Sequence, residues 1–208
     1  MILDDVAPDL AATVRERGET YLHGVLDAVA AGDVDTETDR LWGGGGPYGG
    51  NADAVVGLQY LAAWRVSGEE RALDRARETG RRYLDAKPPA DGIFDFEASG
   101  MEIQRGNSSY VDPDEPVPIA ADDAGLVVEL LADLYDVTGE EQWCDCGLDI
   151  AGAFHDVFFD DAPLPRGAAG IDWYESELGT GTLLHGLARI ALLVRDGEDP
   201  IGPNYVHR

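Results

Sequence analysis

The sequence predicts an all-α protein built from antiparallel helix pairs. Three observations lead there: apolar residues recur at helical spacing in segment after segment, almost nothing alternates with period two, and one helix–turn–helix pattern repeats along the chain. At 208 residues the chain can bury one sizeable core, so a single all-helical domain over residues 1–208 is expected.

A first helix is expected from about Pro8 to Ala30, with Leu10, Val14, Tyr21, Leu22, Val25 and Val29 as its inward stripe. His23 falls on the same apolar side and reads as structural. After a glycine-rich stretch from Gly43 to Gly50, a helix pair spans about 52–86. Its first helix carries Ala54, Val55, Leu58, Leu61 and Ala62 and stops at Ser67-Gly68. Glu69-Glu70 opens the second, with Leu73, Ala76, Gly80, Tyr83 and Leu84 on one stripe, and Pro88-Pro89 terminates it.

Residues 90–120 read as a polar and aromatic loop, with no sheet. A second pair is expected at 122–158: Asp122-Asp123 cap a helix carrying Val127, Leu130, Leu131 and Leu134 that stops at Thr138-Gly139. Glu140-Glu141 then opens its partner, with Trp143, Gly147, Ala151, Phe154 and Phe158 inward. Another loop, 160–179, leads to a final half repeat at 180–196 with Leu183, Leu187, Ile190, Ala191 and Val194.

The repetition is specific. Asp53-Ala54 matches Asp123-Ala124, and Leu58, Leu61, Ala62 and Trp64 match Val128, Leu131, Ala132 and Leu134 at the same offset. One residue is then inserted, after which Ser67-Gly68-Glu69-Glu70 matches Thr138-Gly139-Glu140-Glu141. Thr182, Leu187, Ile190 and Ala191 begin a third copy. Such units cannot bury their apolar faces alone and must stack on one another.

Forty-one acidic residues against fifteen basic ones give a net charge of −26, and Lys87 is the only lysine. That charge disfavours binding to nucleic acid or to an anionic membrane surface. The acids are spread along the chain, which fits a surface adapted to a salt-rich cytoplasm better than an interaction tail. The start, Met1-Ile2-Leu3-Asp4-Asp5, lacks a basic signal segment, and no run nears the ~20 apolar residues of a membrane helix, so a cytoplasmic protein is expected.

The pattern Asp123-Ala124-Gly125-Leu126, then Leu130-Leu131, Leu134-Tyr135 and Thr138-Gly139-Glu140, resembles the helix pair of α/α toroids. Two families share that pattern: the six-hairpin glycosidases with their relatives, and the lanthionine synthetase C-like proteins. The resemblance covers roughly residues 49–194 and implies a partial (α/α) toroid of about seven helices. A full ring of this kind has six hairpins. Either this ring is open, or a second copy completes it as a homo-oligomer, or the chain is part of something larger.

The glycosidase resemblance implies that the long loops gather at one end and line a cleft for a small-molecule or oligosaccharide substrate. Asp95 and Glu97 sit beside Phe94 and Phe96, and Glu175 lies within Trp173-Tyr174-Glu175-Ser176-Glu177. The segment from Glu175 to Leu184 is similar to a helix start in the unsaturated-glucuronyl hydrolases. Glycoside cleavage needs two carboxyl groups about 5–9.5 Å apart, and sugars stack on flat aromatic faces. Asp95, Glu97 and Glu175 are therefore the first candidate catalytic residues, followed by Asp123 and His185. Trp42, Tyr48, Tyr110 and Trp173 are the candidate substrate-binding aromatics, with no metal or cofactor. The bland alternatives are solvated loop acids, an N-cap at Asp123 and a core histidine at His185.

The lanthionine synthetase-like reading rests on Trp143-Cys144 and Leu184-His185-Gly186, and implies two cysteines and a histidine on zinc. Leu184 stands where the second cysteine belongs. Cys144 and Cys146, two apart on a helix, diverge by about 200°. A third alternative is a non-catalytic helical scaffold that binds a protein or peptide.

The charge reading has a direct check. Moving the protein from molar to millimolar salt lengthens the Debye length from about 3 Å to tens of ångströms and should lower the melting temperature; a melting temperature independent of salt would contradict it.

Overall fold

A computed structural model describes residues 6–32, 53–88, 90–94, 117–159, 163–170 and 179–203. The described residues form six helices: α1 (Pro8–Ala31), α2 (Asp53–Ser67), α3 (Glu70–Leu84), α4 (Ala121–Thr138), α5 (Glu141–Phe158) and α6 (Thr180–Asp196).

The two tight turns are built alike. Gly68 and Gly139 adopt φ of +71° and +67°, the left-handed conformation that ends a helix at little cost only for glycine. Before each, a hydroxyl bridges the turn. Ser67 Oγ donates to the Ala63 carbonyl at 2.7 Å and accepts from the Glu69 amide at 3.1 Å. Thr138 Oγ1 donates to the Leu134 carbonyl at 2.6 Å and accepts from the Glu140 amide at 3.2 Å. Glu69 and Glu140 then start the next helix from extended backbone. The same ending recurs at Gly197, φ +72°, followed by Glu198-Asp199. The third copy thus extends past α6 into a turn that the expected boundary at residue 196 missed.

Stacking follows from contacts that advance together along neighbouring helices. Arg65 of α2 reaches Asp133 and Asp136 of α4, and a Cβ on Gly57 would lie 2.7 Å from Leu130. Between α4 and α6 the pairs are Gly125 with Leu183, Glu129 with His185, and Asp133 with Arg189. Between α3 and α5 they are Arg77 with Glu140, Gly80 with Trp143, and Tyr83 with Cys146. So α2, α4 and α6 run parallel in one layer, and α3 and α5 run parallel to each other in a second, joined to the first by the tight turns.

At the centre is α4, buried at every residue from Ala124 to Leu134. Leu130, Leu131 and Leu134 pack with Leu58, Leu61, Tyr83, Trp143, Phe154 and Phe158 in one continuous core. The contact with α6 is closer than side chains permit. A Cβ on Gly125 would sit 2.4 Å from the Leu183 amide nitrogen, and one on Gly186 would sit 2.7 Å from the Gly125 carbonyl oxygen.

Four expectations need correction. The apolar stripe of α1 is only partly covered: Leu22, Val25 and Val29 are half-buried, but Leu10, Val14 and Tyr21 are exposed, and the fully buried residues are Ala11 and Leu26. His23 is on its solvent side, 2.9 Å from Glu69. On α6 the buried stripe is Leu183, Gly186, Ile190 and Leu193, while Ala191 and Val194 face out. Lastly, a short ladder is present. Strands β1 (Ile93–Phe94) and β2 (Val117–Pro118) pair antiparallel, with Ile93 opposite Pro118. The Ile119 amide donates to the Gly92 carbonyl at 2.9 Å, the Ala169 amide to the Ile119 carbonyl at 3.0 Å, and the Ala121 amide to the Gly167 carbonyl at 2.8 Å. These bonds stitch the ends of the inter-repeat loops to the start of α4.

Packing of this kind makes opposite predictions for two helical glycines. Gly125→Ala should cost about 3 kcal/mol or more, since backbone and not a flexible side chain must move. Gly152, within α5 and with nothing within 4 Å of an added Cβ, should gain roughly 0.5–1 kcal/mol on replacement by alanine. Denaturant melts of both variants check the pair.

Candidate active site

The only charged side chains fully buried among the described residues lie on the α4–α6 seam: Glu129, Asp133 and Arg189. Glu129 and Asp133 are one turn apart on α4, as His185 and Arg189 are on α6. The parallel register set by Gly125 and Gly186 brings them together as two rungs.

The lower rung is an ion network. Asp133 Oδ1 accepts from Arg189 Nη2 at 3.1 Å and from Arg65 Nη2 at 2.6 Å. Arg189 Nε donates to Asp199 Oδ2 at 2.6 Å, and Asp199 Oδ1 accepts from the Gly202 amide at 3.0 Å. Burial alone would lower the pKa of Arg189, but Asp133 and Asp199 outweigh it and hold the guanidinium above its ordinary value. This rung is a structural ion network.

The upper rung differs in kind. His185 Nδ1 and Glu129 Oε1 are hydrogen-bond partners. The glutamate is wholly buried, whereas 26% of the His185 side chain is exposed. Glu129 Oε2 has no hydrogen-bond partner among the described residues. Burial pushes the Glu129 carboxyl above the usual carboxylate range, against the pull of His185 and the more distant Arg189. A wholly buried acid of raised pKa thus meets a partly exposed imidazole. With Nδ1 held by the acid, Nε2 is the nitrogen left to exchange a proton with something outside, which is the division of labour of an acid-supported histidine base.

His185 sits in the second turn of α6, at the end of the inner layer where the loops are stitched. Nearby, Gly179 at φ +71° lies so close to Asp122 that an added Cβ would fall 2.4 Å from the Asp122 Cβ. The bond from Ala169 to Ile119 fixes the other side. Ala169 and Gly179 are thereby both held beside the start of α4.

Of the residues predicted from sequence, the structure places two. His185 is on the seam with Glu129. Asp123 lies half-buried in the first turn of α4, whose N-cap is Ala120 with no side-chain cap bond, so neither Asp122 nor Asp123 is the cap. Acids there still favour the positive end of the helix dipole. Asp95, Glu97, Glu175, Trp42, Tyr48, Tyr110 and Trp173 lie outside the described residues, as does the Gly43–Gly50 stretch.

The two cysteines are free thiols on α5. Cys144 is buried, and burial raises its pKa. Cys146 Sγ donates to the Tyr83 carbonyl at 3.4 Å, and burial aided by Asp149 pushes its thiol up to about 11. Among the described residues no three His, Cys, Asp or Glu side chains converge on a metal position.

Glu129, Asp133 and Arg189 were missed by the sequence reading. The available signal was an acid at i and i+4 inside the apolar run Gly125–Leu134, matched by a histidine and an arginine at the same spacing in the last helix.

Compared with protein-family models, curated proteins and solved structures, the chain matches none.

The raised pKa of Glu129 fixes the sign of a pH effect. A folded-state pKa above the unfolded one gives stability that is complete below the unfolded value and is lost as pH rises through the folded value. Glu129→Gln removes this titration. Its melting temperature relative to the native protein should therefore climb as pH goes from acid to neutral. A difference constant with pH would contradict the assignment.

Proposed function

We propose that this protein is an acid–base enzyme of the helix-hairpin class, a hydrolase or lyase acting on an oligosaccharide, with His185 as the group that moves the proton and Glu129 as the residue that positions it. The observation that carries the proposal is the pairing of a wholly buried carboxyl with a half-exposed imidazole at the loop end of the inner helices. In a chain with this many surface acids, an acid on the buried seam is the exception, and its burial has to be offset by a specific partner.

Substrate enters where the loop ends are stitched. His185 Nε2 removes a proton, from water in hydrolysis or from the sugar carbon in elimination, and Glu129 stabilises the imidazolium that results. Asp95, Glu97 and Glu175 are the candidates for the second carboxyl that glycoside cleavage requires, and Trp42, Tyr48, Tyr110 and Trp173 for the stacking surface. The parallel inner layer and its outer pair fit an arc of an α/α toroid, and the acidic surface fits a salt-rich cytoplasm. No described helix is long and apolar enough to cross a membrane. A zinc site of the lanthionine synthetase C-like kind would draw on Cys144, Cys146 and His185. Cys144 and Cys146 lie two apart on α5, and among the described residues no three ligating side chains converge, so the acid–base reading is preferred.

The test is turnover of an oligosaccharide panel in molar potassium chloride. His185→Gln should lower kcat by about 10²-fold or more with KM nearly unchanged. Glu129→Gln should shift the pH–rate profile, because it acts through the imidazole. Asp95→Asn, Glu97→Gln and Glu175→Gln identify the second carboxyl. Full turnover by His185→Gln would sink the proposal, and an unsaturated product absorbing in the ultraviolet would assign elimination over hydrolysis.

A further inference from the structure

Helix α1 is a poor fit to a finished surface. It is 24 residues long yet buries only Ala11 and Leu26. Its Leu10, Val14 and Tyr21 are 54%, 52% and 76% exposed. Between α1 and α2 runs an apolar groove of about 570 Å³, walled by Val14, Leu22 and Val25 on one side and Val56, Tyr60 and Val66 on the other. Arg15, Gly18 and Glu19 also line it, so the α1 face that looks into the groove is centred on Gly18.

That face is complementary to itself. Two copies of α1 laid antiparallel about a two-fold axis at Gly18 bring each Arg15 beside the other's Glu19, on the same flank and within a turn. On the opposite flank each Tyr21 meets the other's Val14, and further out Val25 meets Ala11. Gly18 itself has nothing within 4 Å of an added Cβ, so the crossing point is open and lets the backbones approach. The two charge pairs are symmetric in this arrangement, as an isologous contact requires.

We propose that a second copy of this chain docks here, its α1 lying antiparallel in the groove between α1 and α2, to form an isologous two-fold dimer. Each copy carries a charge of −26, so net repulsion opposes association until salt screens it. The dimer is therefore tightened by salt although it contains ion pairs, the opposite of an interface held chiefly by charge.

The experiment is sedimentation equilibrium of the full chain at low and molar potassium chloride, joined to cysteine cross-linking. The expected result is a dimer in molar salt that loosens on dilution of salt. Arg15→Glu alone and Glu19→Arg alone should each weaken it about tenfold, and the double exchange should restore it. Val14→Glu should give a monomer. Under mild oxidation Gly18→Cys should link two chains efficiently, because only a residue near the axis faces its own copy, whereas Gly24→Cys on the far side should not. A monomer in molar salt at high micromolar concentration would overturn the proposal. So would a dimer indifferent to Val14→Glu, which would place the contact elsewhere, or equal cross-linking at Gly18 and Gly24. Binding of Val14-dependent monomers to lipid vesicles or to another protein would overturn it in favour of that occupant.

Discussion

The backbone contact between α4 and α6 governs the arrangement of nearly everything around it. With Gly125 and Gly186 at the crossing, the two helices approach until main-chain atoms touch, closer than any pair bearing side chains can. At that spacing, side chains within two turns of the crossing are brought into direct contact across the seam. Glu129 and Asp133 are the residues there on α4, and His185 and Arg189 on α6. The register of the seam and the chemistry of the site therefore have a single cause. A residue with a Cβ at either glycine would separate the helices and pull the rungs apart.

The rungs show two solutions to the same electrostatic problem. A carboxylate out of water costs several kcal/mol unless its lone pairs are used. Asp133 meets that demand with two guanidiniums, one from the helix on each side, and Arg189 is held in turn by Asp199 beyond the Gly197 turn. The network thus spans α2, α4, α6 and the start of the third turn, and it locks the inner layer at its turn end. Glu129 has one imidazole and an oxygen left without a partner among the described residues. It therefore holds a proton more readily than a surface glutamate. The Asp133–Arg189 pair braces the helices, although Arg189 Nη1 also lacks a hydrogen-bond partner among the described residues. The Glu129–His185 pair joins a buried acid of raised pKa to a partly exposed imidazole, and it lies toward the loop end.

How much of this was legible depends on whether local or long-range physics decided it. The turns were readable because their chemistry is local: a hydroxyl, a left-handed glycine and an acid occupy fixed offsets, and Ser67-Gly68-Glu69 and Thr138-Gly139-Glu140 fold as written. The core of α4 and α5 was readable because Leu130, Leu134, Trp143 and Phe158 keep helical period with large apolar residues. The seam was not, since burying Glu129 depends on which helix lies opposite, and in a chain with 41 acids one more acid is no signal. His185 was singled out as a candidate, but its partner lies 56 residues away. The stripe on α1 misled for the converse reason. Periodicity reports that a face is apolar and is silent on whether this chain covers it. The caps at Asp122 and Asp123 misled through composition, because acids are favoured in the whole first turn and not only at its first position.

The acid coat and the apolar face of α1 are best understood together. A net charge of this size makes every intermolecular approach unfavourable in dilute buffer, and spreads that penalty over the whole surface. Screening by molar salt removes the long-range part and leaves the short-range contacts intact, since the Debye length then falls below the width of a side chain. Under those conditions apolar burial decides which surfaces associate, and salt that is excluded from the protein surface strengthens it further. A helix that leaves Leu10, Val14 and Tyr21 in solvent is then no longer protected from association by the charge around it. In high salt a covered α1 would be favoured, and under the proposed dimer the face centred on Gly18 would supply that cover without requiring any other molecule.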